Sequence, residues 1–338
     1  MKNVKKQSAE SAHGFGGKSL IICGQKDGKR VRILFMGTPD IAAVALERLV
    51  NEGLEVVGVV TQPDKPRGRK QILTPPEAKQ TAEKFGIPVF QPEKLKNGEL
   101  APVLEELKPE LIAVVAYGKI LPEYVLNYPK YGCVNMHGSL LPKYRGAAPI
   151  QWAVINGDEE TGVTTQKMAK GLDTGDMLLS KRIKIGKYET SEQLFERIAE
   201  LGAQVLVETI NNIENITPVP QNEEEATYAP MLAKEMARID WSKSAECVSK
   251  LICGMNSWPI AYTECEKGIM KVYSALISEN EDENAVCGSI IDFDANGLKV
   301  KCGSGAIIIK EIQFPGGKRM AVGDYLKGHS FEKGYRFF

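Results

Sequence analysis

The run Asn135-Met136-His137-Gly138-Ser139-Leu140-Leu141-Pro142-Lys143-Tyr144-Arg145-Gly146 carries the residue types best suited to chemistry. Cys133–Met136 reads as a buried strand, so the run begins at a strand's carboxyl end. Asn135 and His137 are two apart, and on a strand both side chains leave the same face. One is an amide donor and the other titrates near neutrality. Together they suit a carbonyl: the amide donates to a developing oxyanion and the imidazole carries a proton. A second cluster is Gly171-Leu172-Asp173-Thr174-Gly175-Asp176, whose glycines suit a tight loop presenting the Asp173 carboxylate. A carboxylate beside His137 would fix its tautomer and favour its cation. Each residue also has a plain structural reading, as a hydrogen-bonded strand-end histidine and a turn aspartate. Spacing alone leaves both open. Histidine is scarce, with only His13, His137 and His329 in 338 residues. Cys133 precedes the run on the strand and reads as a core thiol.

These groups need a scaffold, and the hydrophobic pattern supplies one. Arg32–Met36, Val56–Thr61, Leu111–Ala116 and Cys133–Met136 are apolar runs without polar alternation. Helical patterns separate them: Ile41–Asn51, with Asp40 as the expected N-cap, then segments ending at Phe85 and Lys108. Buried strands alternating with helices predict an α/β fold, a doubly wound parallel sheet covered on both faces. Ligands bind beyond the carboxyl ends of such strands, where Asn135 and His137 fall. A long helix is expected from Ser191 to about Ile213. Three prolines and the acidic run Glu223–Glu225 then mark a linker, followed by an amphipathic helix over Ile239–Met255. Beyond Pro259 short strands alternate with Gly-rich turns, which predicts a small antiparallel β-barrel of the OB kind. The expected division is an extension over 1–30, a leader or disordered segment, a domain over 31–214, a linker over 215–233 and a β domain over 234–338.

Composition narrows the function. Lys plus Arg is 43 and Asp plus Glu is 43, so bulk charge does not hold the chain on nucleic acid or membrane. No apolar run reaches the roughly 18 residues of a membrane helix. Seven cysteines without a CxxC pair point to reduced thiols, not a disulfide framework or zinc site. GxGxxG after the first strand, Walker A, HExxH and GxSxG are all missing, which weakens dinucleotide, triphosphate, zinc-protease and serine-hydrolase readings. Lys65-Pro66-Arg67-Gly68-Arg69-Lys70 is a loop with four positive charges, either a nucleic-acid contact or a solvated surface loop.

Asn135-x-His137 with Ser139-Leu140-Leu141-Pro142, Arg145-Gly146-Ala147-Ala148-Pro149-Ile150-Gln151-Trp152 and Gly171–Asp176 resembles the formyltetrahydrofolate-dependent formyltransferases. The resemblance runs from about Val31 to Lys327. It includes Phe35-Met36-Gly37-Thr38-Pro39, Val60-Thr61-Gln62-Pro63-Asp64, Ala116–Pro122, Ala226–Pro230 and Asp240-Trp241-Ser242. Gly138 stands where the family usually has Ala after the motif histidine. The resemblance implies transfer of the formyl group of 10-formyltetrahydrofolate to the α-amine of methionine carried by initiator tRNA. Asn135, His137 and Asp173 would be catalytic, acting on a tetrahedral intermediate, with Asp173 orienting His137. Ser139, Leu140, Leu141 and Pro142 would line the folate pocket. Arg67, Arg69 and Lys70 would contact the tRNA, helped by Lys267, Lys271, Lys299, Lys301, Lys310, Lys318 and Arg319 of the β domain. No metal is required. A monomer is expected, in the cytoplasm of a bacterium or in an organelle of a eukaryote. Rival readings are an aminosugar-nucleotide formyltransferase, a formyltetrahydrofolate hydrolase and an inactive RNA-binding module.

Overall fold

A computed structural model describes residues 30–68, 71–278 and 284–338. The extension expected over 1–30 lies outside the described residues, Arg30 apart. The first domain is built on a seven-stranded sheet. Its strands are β1 (Arg32–Gly37), β2 (Glu55–Val60), β3 (Val89–Phe90), β4 (Leu111–Val115), β5 (Cys133–His137), β6 (Glu160–Lys167) and β7 (Asp176–Lys184). The spatial order is β7-β6-β5-β4-β1-β2-β3. The five strands from β3 to β5 are parallel, whereas β6 and β7 pair antiparallel at one edge. This mixed edge goes beyond the all-parallel expectation. Thr161, Thr164, Thr165 and Gln166 make β6 polar, yet all four are buried. Hydrogen bonds make that possible, such as Thr165 Oγ1 with Thr209 Oγ1 at 2.7 Å and Thr164 Oγ1 to the Ser139 carbonyl at 2.8 Å.

The apolar run of β1 feeds two cores. Ile33 and Phe35 point to one face, where α1 (Asp40–Asn51) and α5 (Ser191–Asn211) cover them. Leu34 and Met36 point to the other, against residues such as Leu104 of α3 (Ala101–Leu107). Period-two alternation therefore serves two layers at once. Helix α1 begins at its expected cap, one residue earlier than the pattern predicts. Pro39 is the N-cap, and Asp40 is the first helical residue, its Oδ1 accepting from the Ile41 N–H at 2.8 Å. A capping box starts α5, with Thr190 and Gln193 each satisfying the other's backbone N–H. Such caps are worth about 1 kcal/mol.

The β domain is antiparallel. Five of its six strands are β8 (Tyr262–Cys265), β9 (Gly268–Ser278), β10 (Ile290–Asp294), β11 (Gly297–Lys301) and β12 (Ala306–Gln313), ordered β8-β9-β12-β11-β10, and the short sixth, Met320–Ala321, pairs with β12. The last residues of the chain join its two edges. Gly334 N donates to the Ile290 carbonyl at 2.8 Å and Phe337 N to the Gly288 carbonyl at 2.9 Å. Phe338 exchanges two backbone hydrogen bonds with Glu264 on β8. The sheet is thus closed into a barrel by a seam at 334–338. Trp241 anchors the seam from inside, stacked on Phe337 at 6.0 Å and donating to Thr263 Oγ1 at 2.9 Å.

The helix expected over Ile239–Met255 is shorter, α6 (Ala245–Gly254). Ser244 caps it, accepting from the Cys247 N–H, and Asp240–Lys243 ahead of it forms a turn. Helix α6 packs on α4 (Pro149–Ile155) of the first domain. A Cβ on Gly254 would lie 2.3 Å from Ile155 Cγ1, so only glycine permits this approach. The two domains therefore share a tight helical joint. Residues 215–233 do not form a free linker either. Tyr228–Ala229 pairs parallel with Arg145–Gly146, and side chains from this segment enter the first domain. Among the described residues no helix is long and apolar enough to cross a membrane.

Candidate active site

The carboxyl edge of the sheet gathers the three expected residues. Asn135 and His137 leave β5 on one face, as period two requires. The loop between β6 and β7 brings Asp173 over them. Its Oδ1 lies 3.5 Å from Asn135 Nδ2, and its Oδ2 lies 3.7 Å from His137 Nδ1. His137 is 6% exposed and the Asp173 side chain 13%, so the cluster is nearly dry but open at one side.

The contacts divide the labour differently from the sequence expectation. His137 Nε2 is 2.8 Å from the Tyr144 carbonyl. A carbonyl only accepts, so Nε2 carries a proton and donates it there. The tautomer is thus set by Tyr144, not by Asp173, and Nδ1 is the nitrogen that faces the carboxylate. At 3.7 Å that approach is a charge contact, too long for a hydrogen bond. The Asp173 carboxylate is itself held by two donors, Gln166 Nε2 on Oδ1 and the Gly146 N–H on Oδ2, each at 2.9 Å. Its backbone is left-handed, at φ +51°. The loop can turn this way because Gly175 presses against β6: a Cβ there would sit 1.9 Å from the Lys167 carbonyl.

Arg145 sits behind the cluster with a fully buried side chain. Its guanidinium makes a fork-to-fork pair with Glu223, both bonds at 2.8 Å. These hydrogen bonds hold the Glu223 carboxyl below its usual value and raise that of Arg145. Arg145 Nε also donates to Gln221 Oε1 at 2.9 Å.

The loop Ser139–Pro142 lies against β6. Ser139 is fully buried, and its hydroxyl donates to the Lys143 carbonyl at 2.6 Å. Thr164 Oγ1 accepts from the Leu141 N–H at 3.1 Å. Leu141 and Pro142 are buried and Leu140 is half-buried, with its Cδ2 against Gly162. Burial pushes the Cys133 thiol up to about 12, which leaves it neutral and unreactive at physiological pH.

A cavity of about 210 Å³ opens on the same sheet edge, lined by Thr38, Pro39, Gln62, Pro63, Lys65, Thr74, Pro76 and Ala116. A hairpin of Lys65–Arg67 and Ile72–Thr74 flanks it. Arg69 and Lys70 lie outside the described residues, as does the side chain of Arg67. In the β domain Lys301 is buried, and Lys267 is held by Tyr325 Oη at 3.0 Å. Lys318 and Arg319 are exposed. Among the described residues no three His, Cys, Asp or Glu side chains gather as a metal would need.

Gln166 and Gln221 escaped the sequence reading. Gln166 lies on a strand whose polar residues concealed it, and Gln221 lies between a proline and an acidic run that reads as linker. Tyr144 acts here through its carbonyl, which no residue type announces.

Residues 29–210 match the family described as Formyl transferase, and 231–330 match Formyl transferase, C-terminal domain. The chain is 49% identical over 306 residues to a methionyl-tRNA formyltransferase of Alkaliphilus oremlandii, covering 90% of this chain and 98% of that protein. It is 46% identical to a methionyl-tRNA formyltransferase of Clostridioides difficile, covering 90% and 99%. Among solved structures it is similar to WlaRD, a sugar 3N-formyl transferase crystallised with dTDP and 5-N-formyl-THF. The TM-score is 0.64 at 17% identity, covering 86% of this chain and all of that one. HypX from Aquifex aeolicus in complex with tetrahydrofolic acid gives a TM-score of 0.59 at 16% identity over 91% of this chain. The chain spans about half the length of HypX. At these identities the structural likenesses establish the fold.

Proposed function

The chain belongs to the formyl transferase family, and from that premise we propose that it moves the formyl group of 10-formyltetrahydrofolate onto the α-amine of methionine carried by initiator tRNA. Identity of 49% over nearly the whole length of a methionyl-tRNA formyltransferase carries the choice of acceptor. The grouping of Asn135, His137 and Asp173 at the strand ends supports the chemistry.

Asn135 Nδ2 donates to the formyl oxygen as negative charge develops on it. His137 Nδ1 accepts the proton released when the amine bonds to the formyl carbon, and returns it to N10 as the carbon–N10 bond breaks. Asp173 supplies a fixed negative charge beside the imidazolium of the intervening state. No net proton is consumed, and one carbon–nitrogen bond replaces another. The loop Ser139–Pro142 borders the folate. Because the Ser139 hydroxyl is committed to Lys143, backbone groups and the face of Leu140 make the contact. Arg67, Arg69 and Lys70 meet the acceptor end of the tRNA, with Lys318 and Arg319 as further cations. The protein acts as a monomer, checked by sedimentation of the purified chain.

The test is formyl transfer from 10-formyltetrahydrofolate to methionyl-tRNA, run beside a nucleotide-linked aminosugar. Formylation of the sugar but not of the tRNA sinks the choice of acceptor.

A further inference from the structure

Asp173 holds a backbone conformation that a non-glycine residue rarely adopts, and the loop carrying it lies at the surface end of β6 and β7. Something must hold it there. The Gln221 side chain, from the segment joining the domains, reaches across 48 residues to do so. Its Nε2 donates to the Asp173 carbonyl at 2.8 Å and to the Gly175 carbonyl at 2.7 Å. Its Oε1 accepts from Arg145 Nε at 2.9 Å. The amide can sit only this way round, since carbonyls accept only and a guanidinium donates only. Both N–H bonds and the oxygen are therefore used. Gln221 Nε2 also lies 3.5 Å from Gln166 Oε1, and that oxygen accepts from the Gly175 N–H at 3.1 Å. Gln166 in turn donates to the Asp173 carboxylate.

We infer that Gln221 is a positioning residue for the transfer reaction: it fixes the Asp173 loop, and Arg145 with Glu223 fixes Gln221. Side-chain contacts aim the carboxylate, and Gln221 clamps the backbone beneath it. The left-handed turn directs the Asp173 side chain at His137, so a loop released from the clamp moves its charge away from Nδ1. The inference rests on the formyl-transfer reading for its kinetic arm and on geometry alone for its spectroscopic arm.

The test uses the full chain with Gln221→Met, which keeps the length and loses both donors, and Gln221→Glu, which sets a carboxylate against two carbonyls. Glu224→Gln, at an exposed neighbour, is the control. Transfer kinetics, thermal unfolding and histidine ring resonances are recorded for each. Both Gln221 variants should lose about 10²-fold in kcat, the scale for a misplacement near 1 Å, with KM for folate little changed. The His137 ring resonances should move towards those of Asp173→Asn while His329 stays put. With only three histidines in the chain, these signals are separable. A Gln221→Met protein that melts lower yet keeps wild-type kcat and an unshifted His137 signal has a purely structural glutamine and overturns the inference. If the wild type formylates no methionyl-tRNA, the functional reading falls instead. The His137 signal then still decides whether Gln221 places Asp173.

Discussion

Asp173→Asn removes one charge and almost no volume. At 3.7 Å from His137 Nδ1, a full charge interaction is worth about 4 kcal/mol at an effective dielectric near 20. The carboxylate is 13% exposed, so screening lowers this to about 2–3 kcal/mol. As the imidazolium forms during transfer, the variant lacks that stabilisation, the barrier rises by the same amount, and kcat falls about 30- to 150-fold. A second cost appears in stability. Gln166 Nε2 and the Gly146 N–H donate to separate carboxylate oxygens, and asparagine offers only one. One donor is orphaned, at about 1–3 kcal/mol, which lowers the melting temperature by about 1–4 °C for a chain of this size. Steady-state kinetics with saturating folate and methionyl-tRNA, paired with thermal unfolding, read both effects. A kcat within twofold of wild type refutes the electrostatic role. Loss confined to KM for folate reassigns Asp173 to binding.

Asn135→Ala should raise the barrier by about 2–4 kcal/mol, the scale of a missing oxyanion donor, read in kcat with the fold intact by circular dichroism. Arg69→Ala should cut formylation of initiator tRNA while folate binding, followed by fluorescence, stays as it was; Arg69→Lys should restore little, because an ammonium lacks the planar fork. Glu223→Gln should destabilise at neutral pH. Arg145 lowers the Glu223 carboxyl from its ordinary 4.5, so the native pair contributes above that value and its contribution is lost as pH falls through the lowered one. Urea unfolding of wild type and variant should therefore differ near pH 7 and converge in acid; a gap that widens below pH 4.5 contradicts the pairing.

The parallel strands and the β5 motif were legible because their residues pattern locally, in apolar runs and at a spacing of two. Strand β6 was not, since Thr161, Thr164, Thr165 and Gln166 are polar and yet buried. A polar strand enters a core only when partners satisfy it, and those partners, Ser139 and Thr209 among them, are 25 and 44 residues away. The joining segment misled for the same reason. Prolines and glutamates do mark a break in regular structure, but Arg145–Glu223 and Gln221–Asp173 pair across 78 and 48 residues. The amphipathic signal over Ile239–Met255 blended a capped helix with the turn before it, where Trp241 is apolar because it packs in the barrel. The tautomer of His137 depends on a main-chain oxygen and has no sequence signature.

The seam at 334–338 bears on how the protein is made. Strand β8 is laid down some seventy residues before the partner that covers its edge. As the chain emerges from the ribosome, Gln221 and Glu223 are available to the first domain early, and the catalytic cluster can settle while synthesis continues. The barrel cannot: Glu264 keeps unpaired main-chain groups, and Trp241 lacks its Phe337 neighbour, until the closing residues arrive. The nascent β domain thus spends its longest interval as an open sheet with exposed edges, the state in which strands pair with the wrong chain. Pairing of residues 334–338 with Gly288, Ile290 and Glu264 is the event that ends that exposure.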